Sequence, residues 1–378
     1  MILIFKGKII SMENFVYPVV KFIKVLAKNY LSQPKKYPFF GSIELTRRCN
    51  SKCKFCPYSR RDTSKDKDLT TEQIFKIIDQ FHEIGIGAFS FLGGEPLLRK
   101  DIEEIGIYLK ERGIISQLST NGVLLKKKAE ELTSSLDCIM VSLDAANRKL
   151  YESIRGIDTF NKVVDGIKEA LTYARDNGCI VITNTVICSK NLDEIPNLIR
   201  FACDELGVHG MVFDQVTLKK NWDVDRATDS KLFPQKHVDT INQILKFKED
   251  GYPILTTKCY FKAIANNKIS FRCMPHLFCC VNHKGEVAVP CYDSNYTKYY
   301  SLLNHNLRDI WFSEEAIMLR KKVENCQKCF MHCIIELSRI VGEPHKYPGD
   351  LFEWVYNTTT FRKRIKFYKN PLLQKYNI

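Results

Sequence analysis

Three cysteines, Cys49, Cys53 and Cys56, stand in the run Cys-Asn-Ser-Lys-Cys-Lys-Phe-Cys. Thiolates at such short spacings converge on one inorganic centre from a single loop. A structural zinc site or an ordinary ferredoxin cluster takes four protein ligands, whereas three cysteines leave one iron of a 4Fe-4S cluster open to a small molecule. An open iron points to catalysis. A zinc site with a distant fourth ligand is the alternative that the spacing alone leaves standing.

Further along lie short polar segments, each at the end of an apolar run. Phe91-Leu-Gly-Gly-Glu-Pro96 places Gly93 and Gly94, which lack a Cβ and let the chain approach a ligand closely, before Glu95, a charge-assisted partner for an ammonium group. A plain turn explains the glycine pair but not Glu95 and Pro96 as well. Ser119-Thr-Asn-Gly122 and Val141-Ser-Leu-Asp144 follow, with short polar side chains that suit sugar hydroxyls. Arg155, in Ile-Arg-Gly156, read alone is also an ordinary surface-helix arginine, and Asn184 read alone is weak evidence.

The elements that must position these residues are legible as a rhythm. From Gly41 short apolar runs alternate with amphipathic segments; helical periodicity covers Phe160 to Ala174 and Leu192 to Leu206, and Cys179 to Ile187 and Val208 to Val216 read as the fifth and sixth strands. Six such units predict an α/β fold, a parallel and incompletely closed partial (β/α)6 TIM barrel, although a doubly wound open sheet has the same rhythm. The polar segments all fall at strand carboxyl ends, which in a parallel barrel form one face, the face that carries active sites.

Together these segments resemble the radical S-adenosylmethionine (SAM) superfamily over about Ser42 to Val216, including the aromatic Phe55 before the third cysteine. The resemblance implies that Cys49, Cys53 and Cys56 ligate a 4Fe-4S cluster whose open iron chelates the amino and carboxylate groups of SAM. It further implies SAM contacts from Gly93, Gly94, Glu95 and Pro96 to the amino group, from Thr120 and Asn121 in the TNG turn, and from Ser142 and Asp144 to the ribose and methionine parts. Arg155 would pair with the carboxylate and Asn184 would support the adenosine. Electron transfer from the cluster would then break the sulfonium bond and give a 5'-deoxyadenosyl radical that abstracts hydrogen from a substrate.

Downstream stand Cys259, Cys273, Cys279, Cys280, Cys291, Cys326, Cys329 and Cys333 in a strand-poor segment. Thiols this dense, ending in CxxCxxxC, read as metal ligands rather than as packing. The segment resembles the SPASM or shorter twitch extension of radical SAM enzymes: a cysteine, a hairpin running from Gly285 to Cys291, a helix near Leu307 to Trp311, then CxxC. That resemblance implies an auxiliary 4Fe-4S cluster on Cys273, Cys291, Cys326 and Cys329, with Cys333 the alternative for one of them. The hairpin is one residue longer than the usual pattern and the terminal run shorter, so a second auxiliary cluster is not expected; zinc is the alternative metal.

The whole chain divides accordingly into an amphipathic helical extension (1–40), the barrel (41–235), a helical linker (236–270), the SPASM/twitch-like domain (271–340) and a basic tail (341–378). Its 378 residues, 45% hydrophobic and 26% charged, are those of a globular protein. Fifteen cysteines without a secretory signal pattern fit a reducing cytoplasm. The net charge of +14 is spread over most of the chain and reads as a solvated lysine-rich surface, not as a nucleic-acid site. Phe15 to Leu31 puts Lys21, Lys24 and Lys28 on one helical face; a helix packed on the barrel is the first reading, and a peripheral membrane contact the second. Expected partners are a substrate and a reducing electron donor such as ferredoxin or flavodoxin. Peptide modification or small-molecule oxidation is the activity the auxiliary domain suggests, with lipid or polyprenoid chemistry and an iron-sulfur nucleic-acid-binding protein as the alternatives.

Overall fold

The computed structural model describes residues 3–5, 8–10, 36–60, 63, 66–216, 225–266, 271–326, 329, 331–342, 349 and 353. The amphipathic segment at Phe15 to Leu31 and the basic tail from Thr360 lie outside the described residues. Two short antiparallel strands, β1 (Leu3–Phe5) and β2 (Lys8–Ile10), form a hairpin of their own.

The six expected apolar runs become β3 (Phe40–Glu44), β4 (Ala88–Leu92), β5 (Ile115–Thr120), β6 (Cys138–Ser142), β7 (Ile180–Ile187) and β8 (Gly210–Gln215), parallel and adjacent in chain order. Alternation along each strand sends Ile43, Phe89, Phe91, Leu118, Ile139, Val141, Val181 and Phe213 into one core with the buried faces of the covering helices. Helix Thr71–Ile84 shows why such segments fold locally. Thr70 and Gln73 form a capping box at its start, Ile74, Ile77, Ile78, Phe81 and Ile84 make its buried stripe, and Gly85, at φ +95°, ends it.

Helix Phe160–Asn177 runs three residues beyond its predicted end, to the stop at Gly178. The predicted helix from Leu192 to Leu206 is shorter, Ile195–Arg200, and continues as a single wide turn over Phe201–Glu205. Helix Pro234–Glu249 follows the last barrel strand, as its periodicity predicts.

The cysteine-dense segment carries more strand than its sequence announces: β9 (Phe278–Val281), β10 (Glu286–Val289) and β11 (Lys298–Ser301). β9 pairs in parallel with β3, Phe40 opposite Phe278 through Ile43 opposite Val281, so that a single nine-stranded sheet runs β11-β10-β9-β3-β4-β5-β6-β7-β8. At the amino-terminal level of the strands, Phe40, Ala88, Ile115 and Phe278 pack with Leu277, Leu337 and Ile340, which brings helix His332–Gly342 against the sheet's inner side. Among the described residues no helix is long and apolar enough to cross a membrane.

Candidate active site

The loop after β3 carries Cys49, Cys53 and Cys56, and two neighbours grip it. From β4, Gly94 N donates to Thr46 O (2.7 Å) and Glu95 N to Arg48 O (2.9 Å). A Cβ on Gly93 would stand 2.3 Å from Thr46 O, and one on Gly94 2.2 Å from Arg48 O. The close approach that requires glycine here is thus to the cysteine loop's own backbone, not only to a ligand. From the other side, the end of helix Arg148–Arg155 accepts Lys52 N on Arg155 O and Lys54 N on Ile154 O, both at 3.0 Å.

Arg155 is buried, at 6% exposure, which removes the surface-helix reading. Its Nε meets Asp144 Oδ2 at 2.6 Å, its Nη1 reaches Cys53 Sγ at 3.5 Å, and Phe55 lies 5.7 Å from the guanidinium. Burial opposes the charge, yet Asp144, Cys53 and Tyr151 together raise the group above its ordinary value, so Arg155 stays a cation. Asp144, fully buried, also accepts Val186 N at 2.9 Å and so ties β6 to β7.

Glu95 also links neighbouring strand ends. Its carboxylate accepts Thr120 Oγ1 (2.6 Å), Asn121 N (2.7 Å) and Leu97 N (3.0 Å), joining the end of β4 to the end of β5. Pro96 opens the single turn Pro96–Leu98 behind it. Asn121 donates to Asn50 Oδ1 at 2.6 Å and comes within 4.0 Å of Cys49 Sγ. Ser142 and Asn184 sit opposite one another where β6 pairs with β7. These residues therefore gather at the carboxyl ends of β3 to β6, with Asn184 of β7, three residues short of its strand's end, at the level of Ser142.

Burial pushes the Cys49 thiol up to about 11, with Cys53, Glu95 and Cys56 adding to it, and raises Cys56 as well. Thiols gathered in a partly buried loop are soft donors to a metal, whose charge offsets the cost of ionising them. The three residues therefore fit an iron-sulfur centre. No two described cysteines form a disulfide.

The second set also assembles. Cys273, pushed up to about 12 by burial, feels Cys291, Cys326 and Cys329. The electrostatic neighbours of Cys333 include Asp214, Cys329, Glu336 and Cys280. Among the described residues no three His, Cys, Asp or Glu side chains converge on the position of one metal ion. An iron-sulfur cubane, with its irons spread in space, takes thiolates at wider separations.

Sequence reasoning missed two polar constellations. Asp214, in β8, accepts His332 Nδ1 at 2.7 Å, and Asn184 hydrogen-bonds the same carboxylate. Asp214 holds His332 up to about 9 although burial works against the imidazolium. The signal was present as an acid inside an apolar barrel strand and a histidine inside CxxCxxxC. The second constellation joins Glu44, at the end of β3, to Tyr58, to Arg47 and to the buried His283 of the β9-β10 turn, whose Nδ1 lies 3.2 Å away. It fastens the cysteine loop to the downstream hairpin.

Comparison with known proteins agrees with this geometry. Residues 43–202 match the Radical SAM superfamily, and residues 216–350 match a domain of unknown function, DUF3463. Among curated relatives, a probable GTP 3',8-cyclase of Sulfurisphaera tokodaii is 34% identical over 214 residues, 56% of this chain and 65% of that protein. One of Methanocaldococcus jannaschii is 32% identical over 180 residues, 47% of this chain and 59% of that protein. The chain thus covers less than two thirds of the length of either relative. In fold it is similar to Streptococcus suis SuiB bound to S-adenosylmethionine (TM-score 0.63, 19% identity, 84% of this chain and 76% of that one). It is also similar to anSMEcpe with bound AdoMet (TM-score 0.58, 17% identity, 90% and 96%). The cysteine loop, its glycine clamp and the parallel barrel beneath them make residues 43–202 a member of the radical SAM superfamily.

Proposed function

We propose that this chain is a radical SAM enzyme that reductively cleaves S-adenosylmethionine on the Cys49, Cys53 and Cys56 loop and uses the radical to abstract hydrogen from a polar substrate at the barrel mouth. The observation that carries this reading is the seating of Cys53 beside Arg155, with the loop fixed from both β4 and helix Arg148–Arg155. A bound 4Fe-4S cluster supplies the electron that breaks the sulfonium bond. The protein's part is to hold three thiols in register, keep the buried Arg155 and Asp144 paired, and offer Gly93, Gly94, Glu95, Pro96, Thr120, Asn121, Ser142 and Asn184 along one rim for SAM.

Cys273, Cys291, Cys326 and Cys329 are proposed as ligands of an auxiliary 4Fe-4S cluster, because each of the last three lies within electrostatic reach of the first. Cys333, coupled to Cys329 and Cys280 instead, is the alternative ligand. A polar substrate is favoured by Asp214, His332 and Asn184 at the mouth of β7 and β8. Lipid or polyprenoid chemistry fits that lining less well. Peptide modification is supported by the fold's likeness to SuiB, of which one structure is bound to the precursor peptide SuiA, and a cofactor-forming reaction by the relatives named GTP 3',8-cyclase. A low-potential donor such as ferredoxin or flavodoxin would reduce the cluster.

The reading is tested by low-temperature electron paramagnetic resonance of the anaerobically reconstituted, reduced protein. Adding SAM is expected to change the cluster signal in the wild type and to leave Cys53→Ala without that response. A wild-type signal indifferent to SAM would refute it.

A further inference from the structure

Helix Glu314–Val323 buries one charged side chain, Arg320, at 8% exposure. The guanidinium lies over the ring of the fully buried Trp311, 4.2 Å from its centroid. Its Nε and Nη2 are buried and make no hydrogen bond to a described residue. Those two atoms form one edge of the guanidinium, the edge that receives two oxygens of a carboxylate or phosphate side by side. An aromatic face attracts a cation but does not hydrogen-bond these in-plane N–H groups.

Among the described residues, no carboxylate pairs with Arg320, and Arg272 and Lys36 stand near it through the buried His276. Arg272 is paired with Glu324. The buried His276, in the turn Pro275–Leu277, is held down to about 3 by burial and by the positive charges of Arg320, Lys36 and Arg272. The group that acts on Arg320 with the opposite sign is the fully buried Cys279 thiol, which burial keeps protonated. Burial lowers Arg320 to about 10, so it still carries its charge at neutral pH. A buried cation without a partner is strongly unfavourable, which makes an unclaimed bidentate edge in a cluster of cations a binding feature rather than packing. The Trp311 Nε1–H is already engaged by Lys36 O at 3.0 Å and does not compete.

We propose that Arg320, with its Nε and Nη2 edge and the surrounding Arg272, Lys36 and His276, forms a binding site for a small oxyanion. Phosphate and carboxylate share the required pair of oxygens. The site lies at the amino-terminal end of β9, and because β9 runs parallel to β3 it is at the end of the sheet opposite Cys49, Cys53 and Cys56. It is therefore separate from the radical centre, while Arg272 adjoins Cys273 of the auxiliary set proposed above.

The test is titration of inorganic phosphate, and in a second arm acetate, against the reconstituted full chain at constant ionic strength, following tryptophan fluorescence and thermal unfolding. The wild type is expected to show a saturable fluorescence change and a rise in melting temperature of several degrees. Response to phosphate with little to acetate assigns a phosphate site, and the reverse a carboxylate site. Arg320→Leu should lose the response and Arg320→Lys should bind at least tenfold more weakly. Absence of a saturable response in the wild type to either anion overturns the proposal, whatever the variants do; so does an undiminished response in Arg320→Leu. Cys53→Ala should bind the anion as the wild type does, which separates this site from the fate of the cluster assignment.

Discussion

Arg155 reaches two partners at once: its Nε lies 2.6 Å from Asp144 Oδ2 and its Nη1 3.5 Å from Cys53 Sγ. One buried cation therefore couples the end of β6 to the cysteine loop, and a change at Arg155 must be felt at both places. Arg155→Gln leaves Asp144 buried without its counter-charge, a loss of about 3–5 kcal/mol for a pair of this kind. Urea denaturation should report that loss, and iron bound after reconstitution should fall with it. A variant of wild-type stability and full iron content would show that the contact is incidental.

The glycine clamp gives a sharper contrast. Gly94→Ala would put a methyl group 2.2 Å from Arg48 O, so the cysteine loop must move. Gly178→Ala, at φ +71° with nothing within 4 Å, meets only left-handed backbone strain, on the order of 1–2 kcal/mol. We expect Gly94→Ala to fold, by circular dichroism, but to retain little iron at the first site, and Gly178→Ala to retain it fully. Equal iron in the two variants would remove the clamp's role.

Iron and acid-labile sulfide analysis distinguishes the downstream ligands. Two cubanes require about eight irons per chain. Cys273→Ala and Cys326→Ala should fall to about four, as only the first cluster would remain. Cys333→Ala should keep the wild-type content if the four coupled thiols are the ligand set. Loss in Cys333→Ala with retention in Cys326→Ala would exchange those two residues in the assignment. Zinc in place of iron would replace the cluster altogether.

His209 offers a pH test that avoids the metal sites. Its Nδ1 accepts Val181 N at 2.9 Å, a role open only to the neutral ring, and burial lowers its pKa from 6.5 to about 4. With the folded pKa below the unfolded one, the contribution is complete above pH 6.5 and is lost as pH falls toward 4. His209→Gln should therefore flatten the fall in melting temperature over that window. An unchanged acid slope would mean that His209 does not contribute to it.

What was legible from sequence divides along chemical lines. Cys49, Cys53 and Cys56, the glycine pair and the six-strand rhythm are local patterns; the structure sets the six strands side by side in chain order, with the cysteines on the loop after the first of them. The role of Gly93 and Gly94 was only half visible, because the backbone they must clear, Thr46 and Arg48, lies in another segment. Pairings such as Asp214 with His332 or Glu44 with His283 join residues more than a hundred positions apart; the second exists because β9 docks on β3. The β9 run Phe-Cys-Cys-Val is short and lacks an alternating pattern, so its place at the barrel edge had no signal in periodicity.

The most direct measurement is 5'-deoxyadenosine formed from SAM and dithionite by the anaerobically reconstituted chain. The wild type should produce it, Cys53→Ala should not, and Arg320→Leu should match the wild type. Continued formation of 5'-deoxyadenosine by Cys53→Ala would contradict the assignment of the cysteine loop.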